Sequence, residues 1–211
     1  AILGLPLDRV RIIPSATGGG FGSKLDISLQ PLIGLVTLKT GRPSRMVYGR
    51  QESMTSTTKR HPAEMRGRIG CDAKGRITGI EFEGRFNTGA YSSWGPTVAN
   101  RVPVHVSGPY LTHTHGPVSG AFRGFGVPQG ALWQETLFDR LAEKAGIDRL
   151  EFRLRNALRD GDASATGQVL RAVGIHDCLL VLQPHWTRAL GEASGKMGRG
   201  VGVASCWYGC G

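Results

Sequence analysis

Two short stretches hold the residues best suited to chemistry: Thr17–Lys24, which reads TGGGFGSK, and Ala121–Gly126, which reads AFRGFG. Each sets an aromatic ring among small residues. In the first, bare backbone at Gly18, Gly19, Gly20 and Gly22 lets successive N–H groups converge on anionic oxygens, and Lys24 adds a cation. In the second, the fork of donors on Arg123 suits a phosphate or a ring carbonyl. Spacing alone leaves other readings open. The first stretch fits neither G-x-G-x-x-G, because positions 23 and 25 are Ser and Leu, nor the phosphate-loop pattern, so it is as readily a tight turn. Arg123 by itself is as readily a surface ion pair. Two clusters of the same character are together expected to form two walls of one ligand site.

The elements that must position these loops follow from the apolar pattern. Leu7–Pro14, with Val10, Ile12 and Ile13, reads as a strand ended by the glycines. Leu29–Leu38 is dense enough in apolar residues for a buried helix, closed by Gly41 and Pro43. Ser44–Tyr48 reads as a short strand and Gln51–Thr58 as a helical turn. Glu64–Asn87 reads as a hairpin turning at Asp72–Gly75. Loop and a short helix are expected over 89–103, and one or two strands within 104–118. Pro128 opens a helix that Gly146 stops, and Asp148 to Glu151 reads as a capping box for the next, with Leu150, Leu154, Ala157 and Leu158 on one face. A third helix spans Ile175–Leu182 before Pro184, and Gly198–Cys206 starts a last strand. Strands precede helices without β-α-β alternation, so the fold class is α+β.

Composition narrows the function. The chain has 211 residues, a net charge of +10 and a pI of about 10.0, which favours an acidic partner. The basic residues are dispersed, the longest run being Lys59-Arg60, so a nucleic-acid stripe is not expected. An anionic cofactor or an acidic partner surface makes better use of the charge. The four cysteines, Cys71, Cys178, Cys206 and Cys210, form no C-x-x-C pair and read as reduced thiols of a cytoplasmic protein. No run approaches the ~20 apolar residues of a membrane span.

The two loops, with KRHPAEMRGRIG, TGAY, SGPY, LAEKAGIDRLEFRLRNAL and ATGQVL between and after them, resemble, in order, the molybdenum-cofactor-binding subunit of the xanthine dehydrogenase and aldehyde oxidase family. The resemblance runs from about Leu5 to Gly211 and includes nicotinate-dehydrogenase-like bacterial types. It implies one partial molybdopterin-binding domain over 1–211: strands and loops with one buried helix in 1–125, helices in 126–190, and the start of a strand region in 191–211. It implies oxidative hydroxylation of a C–H carbon with water as oxygen source, at a molybdenum held by a pyranopterin dithiolene and by no protein side chain. Gly19, Gly20, Phe21 and Gly22 would bind the cofactor from one side and Ala121, Phe122, Arg123 and Gly124 from the other. Phe125, with Leu25, Tyr91 and Trp94, would line the substrate pocket. Partners implied are the remainder of the molybdenum subunit, an iron–sulfur subunit and a flavin (FAD) subunit.

Departures from the family pattern refine these expectations. Leu25 stands where xanthine-specific members carry glutamate, with Asp26 one step later, and Ala90–Trp94 lacks their substrate-binding arginine. An N-heteroaromatic ring or an aldehyde is therefore expected rather than a purine. The family's general base, a glutamate in a Gly-Glu motif, is expected far downstream with no such motif before Gly211, so no catalytic residue is expected in this chain. Exposed apolar surface and self-association are expected instead. The alternative is a non-catalytic basic binding module, or an inactive relic without cofactor. Weaker candidates are His113 with His115 as a metal pair, Glu81 with Glu83 as an acid/base pair, and Cys206 with Cys210.

Overall fold

The computed structural model describes residues 2–100, 110–164, 167–195 and 197–208. Expected strands over 104–109, Ser107–Pro109 of SGPY, Ala165 and Thr166 of ATGQVL, and Cys210 lie outside them. The fold is α+β, with three strands in one sheet of order β1-β2-β3 and six α-helices among the described residues. The chain divides into two compact units that interleave in sequence.

The first unit comprises Ala1–Ala63, Arg85–Asn100 and Tyr110–Phe125. Helix α1 spans Gln30–Thr40, begins with a proline in its first turn and stops at Gly41, which takes the left-handed conformation and donates to Thr37 O. Helix α2 spans Arg50–Ser56. The Glu52 carboxylate accepts from Gly49 N–H at 2.7 Å, and the Lys59 ammonium takes the Ser53 and Thr57 carbonyls at 2.7 and 2.8 Å, a cation on the negative end of the helix. The end of strand β2 (Ile77–Gly89) pairs in parallel with β3 (Tyr110–His113), Arg85 opposite Tyr110 and Asn87 opposite Thr112. Between them runs the short helix α3, Gly95–Asn100. Phe86, Thr88, Val98 and Ala121 fill the interior with His61 and Ser119.

Three expectations for this unit are corrected. Leu7–Pro14 is a turn of 3-10 helix at Leu7–Arg9 followed by chain without regular structure rather than a strand, because no described segment pairs with it; Ile12 and Ile13 are about three-quarters exposed (73% and 74%). Ser44–Tyr48 likewise forms no strand. Helix α1 forms as expected but is not buried: Leu32, Leu35, Val36 and Leu38 are all exposed. Its apolar residues surround the axis instead of marking one face, a pattern that normally belongs to a helix covered on several sides.

The second unit comprises Glu64–Gly84, Arg101–Pro109 and Gly126–Gly211. Strand β1 (Ala63–Cys71) and the first part of β2 form the expected hairpin. Asp72 Oδ1 accepts from the N–H groups of Lys74 and Arg76, both at 2.9 Å, which holds its carboxyl below the usual range. Helices α4 (Val127–Lys144), α5 (Arg149–Asn156) and α6 (Ile175–Ala193) follow. Asn156 stitches α5 to the hairpin, accepting from Ile77 N–H and donating to Gly75 O, both at 2.8 Å. Gly67 lies under the Trp133 ring, and Phe82 meets that ring edge-on at 4.7 Å between centroids. Leu150, Leu154 and Leu179 form a cluster between α5 and α6, with Ala157, Ile175, Trp186 and Val203 around it.

Here two more expectations change. Helix α6 does not stop before Pro184; the proline lies inside it. Leu179 before it and Trp186 after it both pack on α5, and Trp186 Nε1–H donates to Asp148 Oδ2 at 2.9 Å, so packing outweighs the lost backbone bond. The region from Gly198 to Cys206 forms no strand, being tied instead by Ser205 N–H to Glu135 Oε2 at 3.1 Å. No helix among the described residues is long and apolar enough to cross a membrane.

Candidate functional site

All twelve residues singled out by sequence lie in the first unit. The Thr17–Lys24 loop is closed by its own groups. Leu25 N–H donates to Gly22 O at 3.1 Å, Ser23 Oγ–H to Gly20 O at 3.3 Å, and Lys24 Nζ to Gly19 O at 2.6 Å. Lys24 thus ties the loop to itself. The turn needs φ +109° at Gly19 and +91° at Gly22, and it places Phe21 at φ +51°. A ring there carries backbone strain that its surroundings must hold. The open side of Gly20 would let a Cβ meet nothing closer than 3.9 Å, and Phe21 is 61% exposed.

The second loop is built in the same way. Phe125 N–H donates to Phe122 O at 2.7 Å, Gly124 sits at φ +89° and Phe125 at φ +46°. The two loops meet backbone to backbone: a Cβ on Gly22 would lie 2.8 Å from the Ala121 carbonyl carbon and 2.9 Å from Phe122 N. Across this junction the Arg123 guanidinium lies 5.3 Å from the centroid of the Phe21 ring. Gly19–Gly22 and Ala121–Gly124 are therefore brought together, with glycine backbone on one loop and a guanidinium on the other.

The four residues expected to line a pocket are held by neighbouring turns. Trp94 and Phe125 meet edge to face at 5.9 Å and 64°. Ser93, at φ +36°, donates from Oγ to Asp26 Oδ1 at 3.3 Å, which ties the loop of Tyr91 and Trp94 to the loop of Leu25. Leu25 and Tyr91 are 65% and 71% exposed. Asp26 Oδ2 is buried beside Gly120, where a Cβ would come within 2.8 Å of it.

Sequence reasoning missed Arg60. Its guanidinium lies 4.7 Å from the centroid of the Phe122 ring and donates to Arg123 O. His61, next in the chain, turns inward at 2% exposure; burial, and then the Arg60 charge, hold its pKa below the usual imidazole value. In KRHP, alternation of side chains along an extended segment separates Arg60 from His61, but nothing in it names Phe122 as the partner.

Two of the weaker candidates find structural employment. His113 Nδ1 faces Thr88 Oγ1 at 3.3 Å, and Glu81 pairs with Arg68 across the hairpin at 2.6 Å. Cys71, Cys178 and Cys206 are free thiols. A Gly-Glu pair does occur, Gly191-Glu192, but it ends α6 in the second unit, where the exposed Glu192 carboxylate lies 4.0 Å from Arg199 Nη1. Among the described residues no group of three or more His, Cys, Asp and Glu could hold a metal ion. A groove of about 510 Å³ in the second unit is lined by Asp148, Pro184 and Trp186, but Asp148 already caps α5 and accepts from Trp186.

A family profile described as "Molybdopterin cofactor-binding domain" matches residues 1–157. The chain is 43% identical over 189 residues to the nicotinate dehydrogenase large molybdopterin subunit of Eubacterium barkeri, covering 84% of this chain and 44% of that one. It is 34% identical to the putative xanthine dehydrogenase molybdenum-binding subunit of Escherichia coli K12, over 98% of this chain and 30% of that one. The aldehyde oxidoreductase structure from Desulfovibrio gigas superposes with a TM-score of 0.78 at 31% identity, covering 85% of this chain and 21% of that one. The chain thus spans less than half the length of these relatives.

Proposed function

Because the chain belongs to the molybdopterin cofactor-binding domain family, we propose that it is part of a molybdenum hydroxylase subunit that binds the pyranopterin cofactor between its two aromatic-glycine loops. The observation that carries this reading is the close approach of Gly22 to the Ala121 and Phe122 backbone, which joins the glycine loop to the loop of Arg123, whose guanidinium lies over the Phe21 ring. Glycine backbone and a forked cation on two joined loops fit a group rich in anionic and carbonyl oxygens. Gly19, Gly20, Phe21 and Gly22 would hold it from one loop and Ala121, Phe122, Arg123 and Gly124 from the other. When bound, the cofactor supplies the metal centre and its redox chemistry; this chain supplies binding and orientation.

The substrate would be an N-heteroaromatic ring or an aldehyde. Phe125 and Trp94 offer ring edges and faces, Leu25 and Tyr91 add apolar surface, and neither purine-recognition residue expected of the xanthine-specific pattern is in place. The similarity to a nicotinate dehydrogenase subunit supports the same class. Both units would be parts of one partial domain. The remainder of the subunit, an iron–sulfur chain and a flavin chain would complete the enzyme. The exposed leucines and valine of α1 supply surface for that remainder, and would drive self-association of the chain by itself.

Two measurements on the complex purified from its native host test the proposal. Elemental analysis should find molybdenum near one per protomer, and nicotinate should bind in preference to xanthine. A complex without molybdenum sinks the cofactor reading, whereas tight xanthine binding sinks only the substrate class.

A further inference from the structure

Residues 59–62 run extended between two neighbours. Lys59 N–H donates to Val118 O at 3.1 Å, Gly120 N–H donates to Lys59 O at 3.0 Å, and Asn87 N–H donates to Pro62 O at 2.9 Å. Alternation then sends His61 into the core and Arg60 the other way, toward the second loop. That loop holds an aromatic residue in the left-handed region at Phe125, and such a conformation persists only where its surroundings over-determine it. Arg60 supplies two constraints at once, a stack on the Phe122 ring and a donor to the Arg123 carbonyl.

We infer that Arg60 is a positioning residue for the loop 121–125, fixing the backbone from which Arg123 reaches the Phe21 ring and Phe125 meets Trp94. The two contacts need a planar guanidinium, because one face must lie on a ring while an edge N–H points at a carbonyl. A lysine ammonium offers no such plane. The loop-ordering role stands on the contacts alone; its consequence for the cofactor rests on the proposed function.

The test uses the intact complex with Arg60→Ala, Arg60→Lys, Arg123→Ala and the double variant Arg60→Ala/Arg123→Ala. Amide hydrogen exchange of the segment 121–126 is read beside exchange in α5, and molybdenum is counted per protomer. Arg60→Ala should speed exchange at Phe125 N–H about tenfold, the change that about 1.4 kcal/mol of local stability gives, while α5 is unchanged. Arg60→Lys should recover little of this. Molybdenum content should fall in Arg60→Ala, and the loss in the double variant should be smaller than the sum of the two single losses, since Arg60 acts in part through Arg123. Unchanged exchange at Phe125, full recovery by lysine, or strictly additive losses in the double variant would overturn the inference. A wild-type complex without molybdenum would instead sink the cofactor reading, and the exchange comparison would still decide the role of Arg60.

Discussion

Gly22→Ala is the sharpest perturbation of the loop junction. Two costs act together. At φ +91° an L-residue is strained, by roughly 1–2 kcal/mol. The new Cβ would stand 2.8 Å from the Ala121 carbonyl carbon and 2.9 Å from both Ala121 O and Phe122 N. Relief to ordinary carbon contact needs a shift of roughly 0.7 Å or more. The obstacle is backbone anchored by a fully buried Ala121, so it does not yield like a side-chain tip. Overpacking of this kind costs about 1–3 kcal/mol. Against the sum stands a gain of about 0.4–1 kcal/mol from a stiffer unfolded chain. The net loss is about 1.5–4 kcal/mol, or very roughly 3–16 °C in melting temperature for a chain of this size. Controls lie in the same cluster. A Cβ on Gly18 meets nothing within 4 Å and one on Gly20 meets only Lys24 Cβ at 3.9 Å, and neither needs positive φ. Gly18→Ala and Gly20→Ala should therefore melt at or slightly above wild type. Thermal melts followed by circular dichroism compare the three. If Gly22→Ala melts within about 2 °C of Gly20→Ala, a gap below 1 kcal/mol, the loops do not meet as described.

Other consequences are equally open to measurement. His61 is held neutral by burial and by Arg60, so its folded pKa is depressed; its contribution is complete above the unfolded value of about 6.5 and is lost as pH falls below it. Urea midpoints should drop from pH 7.5 to 5.5 more steeply in wild type than in His61→Gln, and equal slopes would refute the assignment. Arg153 is buried with Glu135 Oε2 at 2.7 Å and Asp139 Oδ1 at 2.8 Å, so Arg153→Ala leaves the buried Glu135 carboxylate without its cation and should cost about 3–5 kcal/mol by urea unfolding. A loss under about 1 kcal/mol would mean those carboxylates find water instead. Pro184→Ala restores a backbone donor inside α6 and should add about 2 kcal/mol after the unfolded-state term, with unchanged or higher helicity; destabilisation would show that the ring itself is packed.

What was legible in the sequence was local. The cap at Asp148, the stop at Gly41 and the Asp72–Gly75 turn each depend on residues a few positions apart, and each forms. The segment Leu7–Pro14 has strand-like residues, but a strand exists only with a partner, and pairing is not written in its own composition. Pro184 was misread for the opposite reason: a local rule was correct in sign but smaller than the packing of Leu179 and Trp186. In the site, the glycine turns and their aromatic residues could be read from type and spacing. The Arg60–Phe122 stack could not, because it joins residues far apart in the chain through a pairing that leaves no periodic trace. Asp26 was noticed only as the neighbour of Leu25, whereas its bond to Ser93 ties two turns together.

Phe21 and Phe125 share a predicament. Both sit at corners where glycine would be at ease, at φ +51° and +46°. Selection for folding and selection for ligand handling then pull in opposite directions at the same codons. In a library sorted only for yield of folded chain, glycine should rise at both positions, since it removes about 1 kcal/mol of strain. In a library sorted for the proposed activity, it should vanish. A conflict of that kind identifies a position retained for what its ring meets.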